Sequence, residues 1–152
     1  MHTPAQVAKH PIHPMLVPIP IGLWIFSLVC DLVFVFGGGD ETWRTVAFYT
    51  MAGGIVGALI AAVPGFIDML SLRAQLKRIA LLHMSLNLVI VAMYAVNLGW
   101  RIGDSQGSGP VWLSLVAVAL LGVSGWLGGK MVYVHGVAVN AVREGERGQL
   151  QA

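Results

Sequence analysis

The residues of this chain best suited to chemistry are four of its five histidines, which flank or enter long apolar segments. Two form a His-x-x-His pair before the first apolar segment, one lies about one to two turns inside the third, and one closes the fourth. They are His10, His13, His83 and His135, in that order. A chain that crosses the membrane back and forth places all four on one side. Since imidazoles from facing helices are common ligands of metals and haem in bundles, the pattern predicts such a site.

A stripe of polar residues follows one face of the third apolar segment. At about 100° per residue, its members fall within roughly 40° of one line. They are His83, Asn87, Tyr94, Asn97 and Arg101. Lipid cannot satisfy such groups, so the stripe must face the bundle interior or a wet cavity. Interhelical hydrogen bonding is the plain alternative for the two amides and the tyrosine.

Two carboxylates lie in or at the ends of the apolar segments. Asp31 lies near the outer end of the first, at the depth of Arg101, which favours a partly buried ion pair over a proton relay. Asp68 closes the second segment, where Arg73 or Arg78 is the expected partner. Beside the histidines, Asp68 and Asn87 are expected to orient the ligand side chains.

The composition defines the elements that must position these groups. The chain is 57% hydrophobic and 11% charged, with a mean hydropathy of +0.77, which is typical of membrane proteins. Each apolar segment is long enough to cross a hydrocarbon core of about 30 Å as a helix. We therefore expect one transmembrane domain, an all-α, up-and-down four-helix bundle. Its predicted parts are spans at about 15–36, 46–66, 79–100 and 111–135, an interfacial lead-in at 1–14 and a solvated tail at 140–152.

The distribution of basic residues predicts the orientation. Six lie on the side of the two termini and the middle loop, namely Lys9, Arg73, Lys77, Arg78, Arg143 and Arg147, whereas the opposite side holds Arg44 and Arg101. Because positive flanks stay inside, both termini are predicted to be cytoplasmic, in a multi-pass protein of the inner membrane. The net charge of +2 is small and is explained by these basic flanks of the spans, so it gives no reason to expect nucleic acid as a partner.

Several segments together resemble the membrane family called domain of unknown function 2231. They are residues 10–15 (HPIHPM), 19–24 (IPIGLW) with Asp31, Pro64-Gly65 with Asp68, Arg78 with His83 and residues 86–88 (LNL), and residues 125–129 (GWLGG) through Tyr133 and His135-Gly136. The resemblance covers the chain from Lys9 to about Val139. It implies a four-span bacterial membrane protein. Some members appear joined to Rieske-type or cytochrome domains, which implies electron transfer by analogy.

We therefore expect a cytoplasm-facing metal- or haem-binding bundle that serves electron transfer, with haem b or a transition metal as the cofactor. His83 and His135 are the preferred ligands because both lie on spans, and His10 and His13 are the second candidates. The expected partners are the lipid bilayer, a redox protein and further copies of the chain. No catalytic motif is present, so the sequence does not decide whether the protein is an enzyme.

Two other functions fit the same sequence. The first is a pathway for protons or a small solute along the stripe from His83 to Arg101. The second is a non-catalytic subunit whose glycine-rich helix faces dock partner helices, with the polar residues holding the assembly together.

Overall fold

The computed structural model describes residues 4–103 and 110–139. A short hairpin of β1 (Gln6–Val7) and β2 (His10–Pro11) precedes five α-helices and one π-helical turn (Lys130–Val134). The helices are α1 (Ile12–Leu16), α2 (Pro18–Phe36), α3 (Glu41–Leu70), α4 (Ala74–Gly103) and α5 (Val111–Gly129). The predicted tail at 140–152, with Arg143 and Arg147, lies outside the described residues.

Four helical stretches of the described chain are long and apolar enough to cross a membrane. They are Ile12–Phe36, Glu41–Leu70, Ala74–Gly103 and Val111–Val134. The second and third are 30 residues long, so they extend past the predicted spans at both ends. Asp40 caps α3, accepting a hydrogen bond from the Thr42 N–H at 2.8 Å, and this bond lowers the pKa of the Asp40 carboxyl.

The helices form the predicted all-α up-and-down bundle. Both α2 and α4 pack against α3 and α5, which places α2 and α4 diagonally across the bundle, running in the same direction. A layer of apolar side chains fills its middle. These are Trp24, Met51, Ile90, Tyr94, Ala117 and Leu121. The side of the membrane on which the termini lie stays a prediction.

The N-terminal segment folds back over one end of the bundle. Ala8 and Lys9 turn the β-hairpin with positive φ angles of 49° and 66°. The N–H of Ala5 donates to Asp68 Oδ1 at 2.9 Å, which fastens the hairpin to the end of α3. Short α1 follows, and Val17, whose backbone is helical (φ −59°, ψ −27°), joins it to α2, which begins at Pro18 because proline suits a first helical turn. Helix α1 packs against α3, and His13 lies at this end of the bundle.

Candidate functional site

Two of the four histidines meet inside the bundle. The rings of His13 on α1 and His83 on α4 have centroids 6.4 Å apart and planes at 89°. Both residues are partly buried. The diagonal arrangement of the first and third spans brings them together, because side chains from diagonal helices meet at the centre of a bundle.

Hydrogen bonds to the backbone fix the state of both imidazoles. His13 Nδ1 lies 2.8 Å from the carbonyl oxygen of Ala61, and His83 Nδ1 lies 3.0 Å from that of Ser124. A carbonyl oxygen can only accept, so each Nδ1 must carry the hydrogen and donate it. In a neutral imidazole the lone pair is then on Nε2. Both rings are therefore held in the tautomer that leaves Nε2 as the ligand atom.

The two Nε2 atoms differ in their surroundings. The two hydrogens of the Asn87 amide go to the His83 carbonyl and to Ser124 Oγ, both at 2.7 Å, and the same Nδ2 lies 3.2 Å from His83 Nε2. Ser124 Oγ is also 3.1 Å from His83 Nδ1. For His13, by contrast, Nε2 has no hydrogen bond to any described residue. His83 Nε2 is therefore in contact with the Asn87 amide, whereas His13 Nε2 has no partner in the described chain.

A glycine lies against each ring, and sequence reasoning missed both. A Cβ on Gly65 would lie 2.7 Å from His13 Nδ1, closer than real contacts allow, and a Cβ on Gly128 would lie 3.3 Å from His83 Cε1. The backbone of α3 thus approaches the His13 ring as closely as only glycine permits, and that of α5 leaves only a tight space for a Cβ beside the His83 ring. The signals were the pairs Pro64-Gly65 and Gly128-Gly129, but glycine in a span is usually a helix-packing residue.

The other two histidines lie away from this pair. His10 is exposed in the hairpin, and its Nδ1 bonds the carbonyl of Ala8 at 2.8 Å. His135 is exposed directly after the π-helical turn. Within the described chain, no three histidine, cysteine or carboxylate side chains lie close enough to hold one metal ion. The structure thus brings together two of the four predicted ligands.

The prediction that Asp68 pairs with Arg73 or Arg78 was wrong. Among the described residues, Asp68 makes no salt bridge, and its carboxylate instead accepts the backbone N–H of Ala5. The side chain is 8% exposed because the N-terminal segment covers it, whereas both arginines are exposed. Asp68 therefore holds the segment that leads to His13.

A second polar cluster lies at the opposite end of the bundle. Arg101 Nη1 and Nη2 donate to the two carboxylate oxygens of Asp31 at 2.7 and 2.6 Å, so the predicted ion pair is confirmed, in a fully buried form. Arg101 Nε donates to Asn97 Oδ1 at 3.1 Å, and Asn97 Nδ2 donates to Ser114 Oγ at 2.8 Å. This cluster connects α2, α4 and α5 and satisfies both charges.

An aromatic pair separates the two polar ends. Trp24 and Tyr94 stack with centroids 4.4 Å apart and planes at 10°, and Trp24 Nε1 donates to the carbonyl of Met51. Tyr94 is 1% exposed, yet its hydroxyl has no hydrogen-bond partner among the described residues. The stripe on α4 therefore faces the interior as predicted, but apolar packing interrupts it at mid-depth.

These features define a multi-pass membrane protein with a buried ion pair at one end and two opposed imidazoles at the other. The chain belongs to the family described as "Predicted membrane protein (DUF2231)", whose match covers residues 9–141. The resemblance drawn from the sequence motifs is thereby confirmed. Comparison with curated proteins and with solved structures gave no match.

Proposed function

We propose that His13 and His83 supply two imidazole ligands to one metal centre, haem iron or a bare transition metal, and that the bundle serves electron transfer in the membrane. The observation that carries the proposal is the approach of the two rings to 6.4 Å, with each Nδ1 within hydrogen-bond distance of a backbone carbonyl, which favours the tautomer that leaves Nε2 as the ligand atom. Histidine ligands of metals almost always donate their other ring N–H to such an acceptor. The family membership by itself says nothing of this function.

The spacing of the rings fits a shared metal. A metal–imidazole bond is about 2.0–2.1 Å long, so the centroids of two rings that hold one metal would lie within roughly 6–7 Å of each other. The observed separation is 6.4 Å. Asn87 would have to release His83 Nε2, and its amide keeps the His83 carbonyl and Ser124 Oγ as acceptors when it does so.

The number of ligands favours haem over a bare ion. A bare metal site needs three or four ligands close together, and the described chain offers two here. His13 and His83 would be enough to hold haem, which would supply one-electron chemistry. The chain's own part would be to hold both rings in one tautomer and exclude water with the apolar layer around Trp24 and Met51.

This proposal changes the preferred ligand pair. From the sequence, His135 is the preferred partner of His83 because it lies on a span, but the structure leaves it exposed. His13 takes its place, since α1 carries that side chain to the centre of the bundle. The positive flanks support a site near the cytoplasmic face of the inner membrane, within reach of a soluble redox partner.

The exposed histidines provide matched controls for the test. The full chain is purified in detergent, supplied with haem b or with a transition metal, and examined by absorption spectroscopy and metal analysis. We expect His13→Ala and His83→Ala to lose the bound cofactor, and His10→Ala and His135→Ala to keep it. The proposal is wrong if the wild-type protein takes up neither cofactor, or if His13→Ala and His83→Ala retain it.

A second candidate function is a pathway for protons along α4, favoured by the buried Tyr94 hydroxyl that lacks a partner in the described chain. The stacked Trp24 and the side chains of Met51 and Ile90 would have to part for protons to pass. Proton flux into liposomes, reduced by Tyr94→Phe and by Asn87→Leu, would support this function over the metal centre. Equal flux in wild-type protein and both variants would exclude it.

A further inference from the structure

The surroundings of one site histidine recur around the other. His13 donates to the carbonyl of Ala61 and lies on Gly65, four residues further along α3. His83 donates to the carbonyl of Ser124 and lies on Gly128, also four residues further along α5. The two helical hairpins, α1–α3 and α4–α5, thus each supply one imidazole, one carbonyl and, one turn beyond the carbonyl, one glycine.

The recurrence extends through the bundle. Three pairs of side chains meet between the first and third spans, and the partners in each lie 70 residues apart: His13 and His83, Trp24 and Tyr94, Asp31 and Arg101. Polar residues that bond the neighbouring helix recur in the same way. Ser27 Oγ donates to the Ala47 carbonyl, and Asn97 Nδ2, 70 residues later, donates to that of Pro110.

The second hairpin differs from the first by a constant shortening. The contact between the histidine and the carbonyl spans 48 residues in the first hairpin and 41 in the second. The contact from Ser27 spans 20 residues, and the matching contact from Asn97 spans 13. Both differences correspond to about two helical turns, as expected if the second hairpin lost two turns at the end away from the histidines. The sequences of the two hairpins therefore do not align at a single offset along their whole length, which hides the repeat in the sequence.

We infer that the segments α1–α3 and α4–α5 are two copies of one unit, related by a pseudo-twofold axis that passes between the imidazoles. The site then takes a ligand near that axis through the Nε2 atoms of His13 and His83, which hold corresponding positions in the two units although Asn87 contacts only that of His83. Gly65 and Gly128 are the corresponding positioning residues. This inference rests on the proposed function for the nature of the ligand, a metal centre. The equivalence of the two imidazoles stands on the contacts alone.

The axis explains which residues are identical and which are complementary. A side chain on a twofold axis faces its own copy, so two carboxylates or two guanidinium groups there would repel each other. At that depth the copies have diverged to Asp31 and Arg101, which satisfy one another. Two neutral imidazoles do not repel, and they have stayed identical where a shared ligand would need both.

The test examines the histidines first without any cofactor. Nitrogen NMR of the full-length protein, labelled at histidine, reports the tautomer of each ring. We expect His13 and His83 both to show the Nδ1–H form, Gly65→Ala to disturb the signal of His13 alone, and Gly128→Ala that of His83 alone. Gly125→Ala is the matched control, because its Cβ would meet nothing within 4 Å.

The second measurement uses haem b as the probe. We expect Gly65→Ala to weaken its binding about 10–100-fold, the effect usual for changes around a metal ligand. Gly128→Ala, whose Cβ would lie 3.3 Å from the His83 ring, should weaken it less, and Gly125→Ala should leave it unchanged. Opposite tautomers of His13 and His83, or an effect of only one of the two site glycines on its histidine, would overturn the inference. Matching tautomers without any uptake of haem or metal would support the repeat and contradict the proposed function.

Discussion

The two polar ends of the bundle differ in how their buried polar groups are satisfied. At the ion-pair end (Asp31, Asn97, Arg101 and Ser114), opposite charges meet in a bidentate pair, and Arg101 also donates to Asn97, which in turn donates to Ser114. At the histidine end (His13, His83, Asn87 and Ser124), the only hydrogen bond to an Nε2 atom within the described chain is the long one from Asn87. Buried groups that satisfy one another stabilise a fold, whereas unused ligand atoms are a feature of binding sites.

The aromatic pair between the ends allows them to be changed separately. Trp24 and Tyr94 stack across the bundle axis, with Met51 and Ile90 in the same layer. No polar residue of one end bonds to the other end among the described residues. Substitutions without shared partners usually act additively, so stability and cofactor binding should respond to different ends.

The largest expected effect on stability comes from breaking the ion pair. Asp31→Leu leaves the Arg101 guanidinium buried without its counter-charge, which typically costs about 3–5 kcal/mol. The measurement is the free energy of unfolding in detergent, from titration with a denaturing surfactant. The double variant Asp31→Leu/Arg101→Met removes both charges and should recover most of the loss. A single variant as stable as the wild type would contradict the structural role assigned to this end.

A smaller loss is expected at the histidine end. Asn87→Leu removes the donor to Ser124 Oγ and His83 Nε2, which should lower the free energy of unfolding by about 1–3 kcal/mol. Ser85→Ala is the control on the same helix, because Ser85 is exposed, and it should change stability by at most about 0.5 kcal/mol. If Asn87→Leu costs as much as Asp31→Leu, the distinction between the two ends is wrong.

The ion-pair end could be predicted from the sequence because Asp31 has few possible counter-charges at its depth in the membrane. Asp31 is the one formal charge well inside an apolar segment, and Arg101 lies at the same depth on a neighbouring span. Burial without a counter-charge is so costly that the pairing follows from depth alone. The four spans were predictable for a related reason, since long apolar helices have few other environments.

The histidine end could not be predicted to the same degree, because local backbone geometry decides it. His13 fell in the predicted interfacial lead-in at 1–14, whereas the helix reaches back through Val17 to Ile12 and carries His13 onto the line of Trp24 and Asp31, at about 100° per residue. The π-helical turn before His135 has a different angle per residue, so extrapolation from α5 gave no reliable direction for that side chain. Gly65 could be recognised only after the ring that lies on it was placed.

The smallest expected effect on stability comes from the aromatic pair that lies between the two ends. Tyr94→Phe keeps the stack on Trp24 and removes a buried hydroxyl that has no partner among the described residues. Because no protein hydrogen bond of the described chain is lost, stability should change by less than about 1 kcal/mol, and an increase is expected. Unfolding in detergent, measured beside Asn87→Leu, gives the comparison. A loss as large as that of Asn87→Leu would mean that the Tyr94 hydroxyl has a partner, such as a buried water, and would contradict the purely apolar separation of the two polar ends.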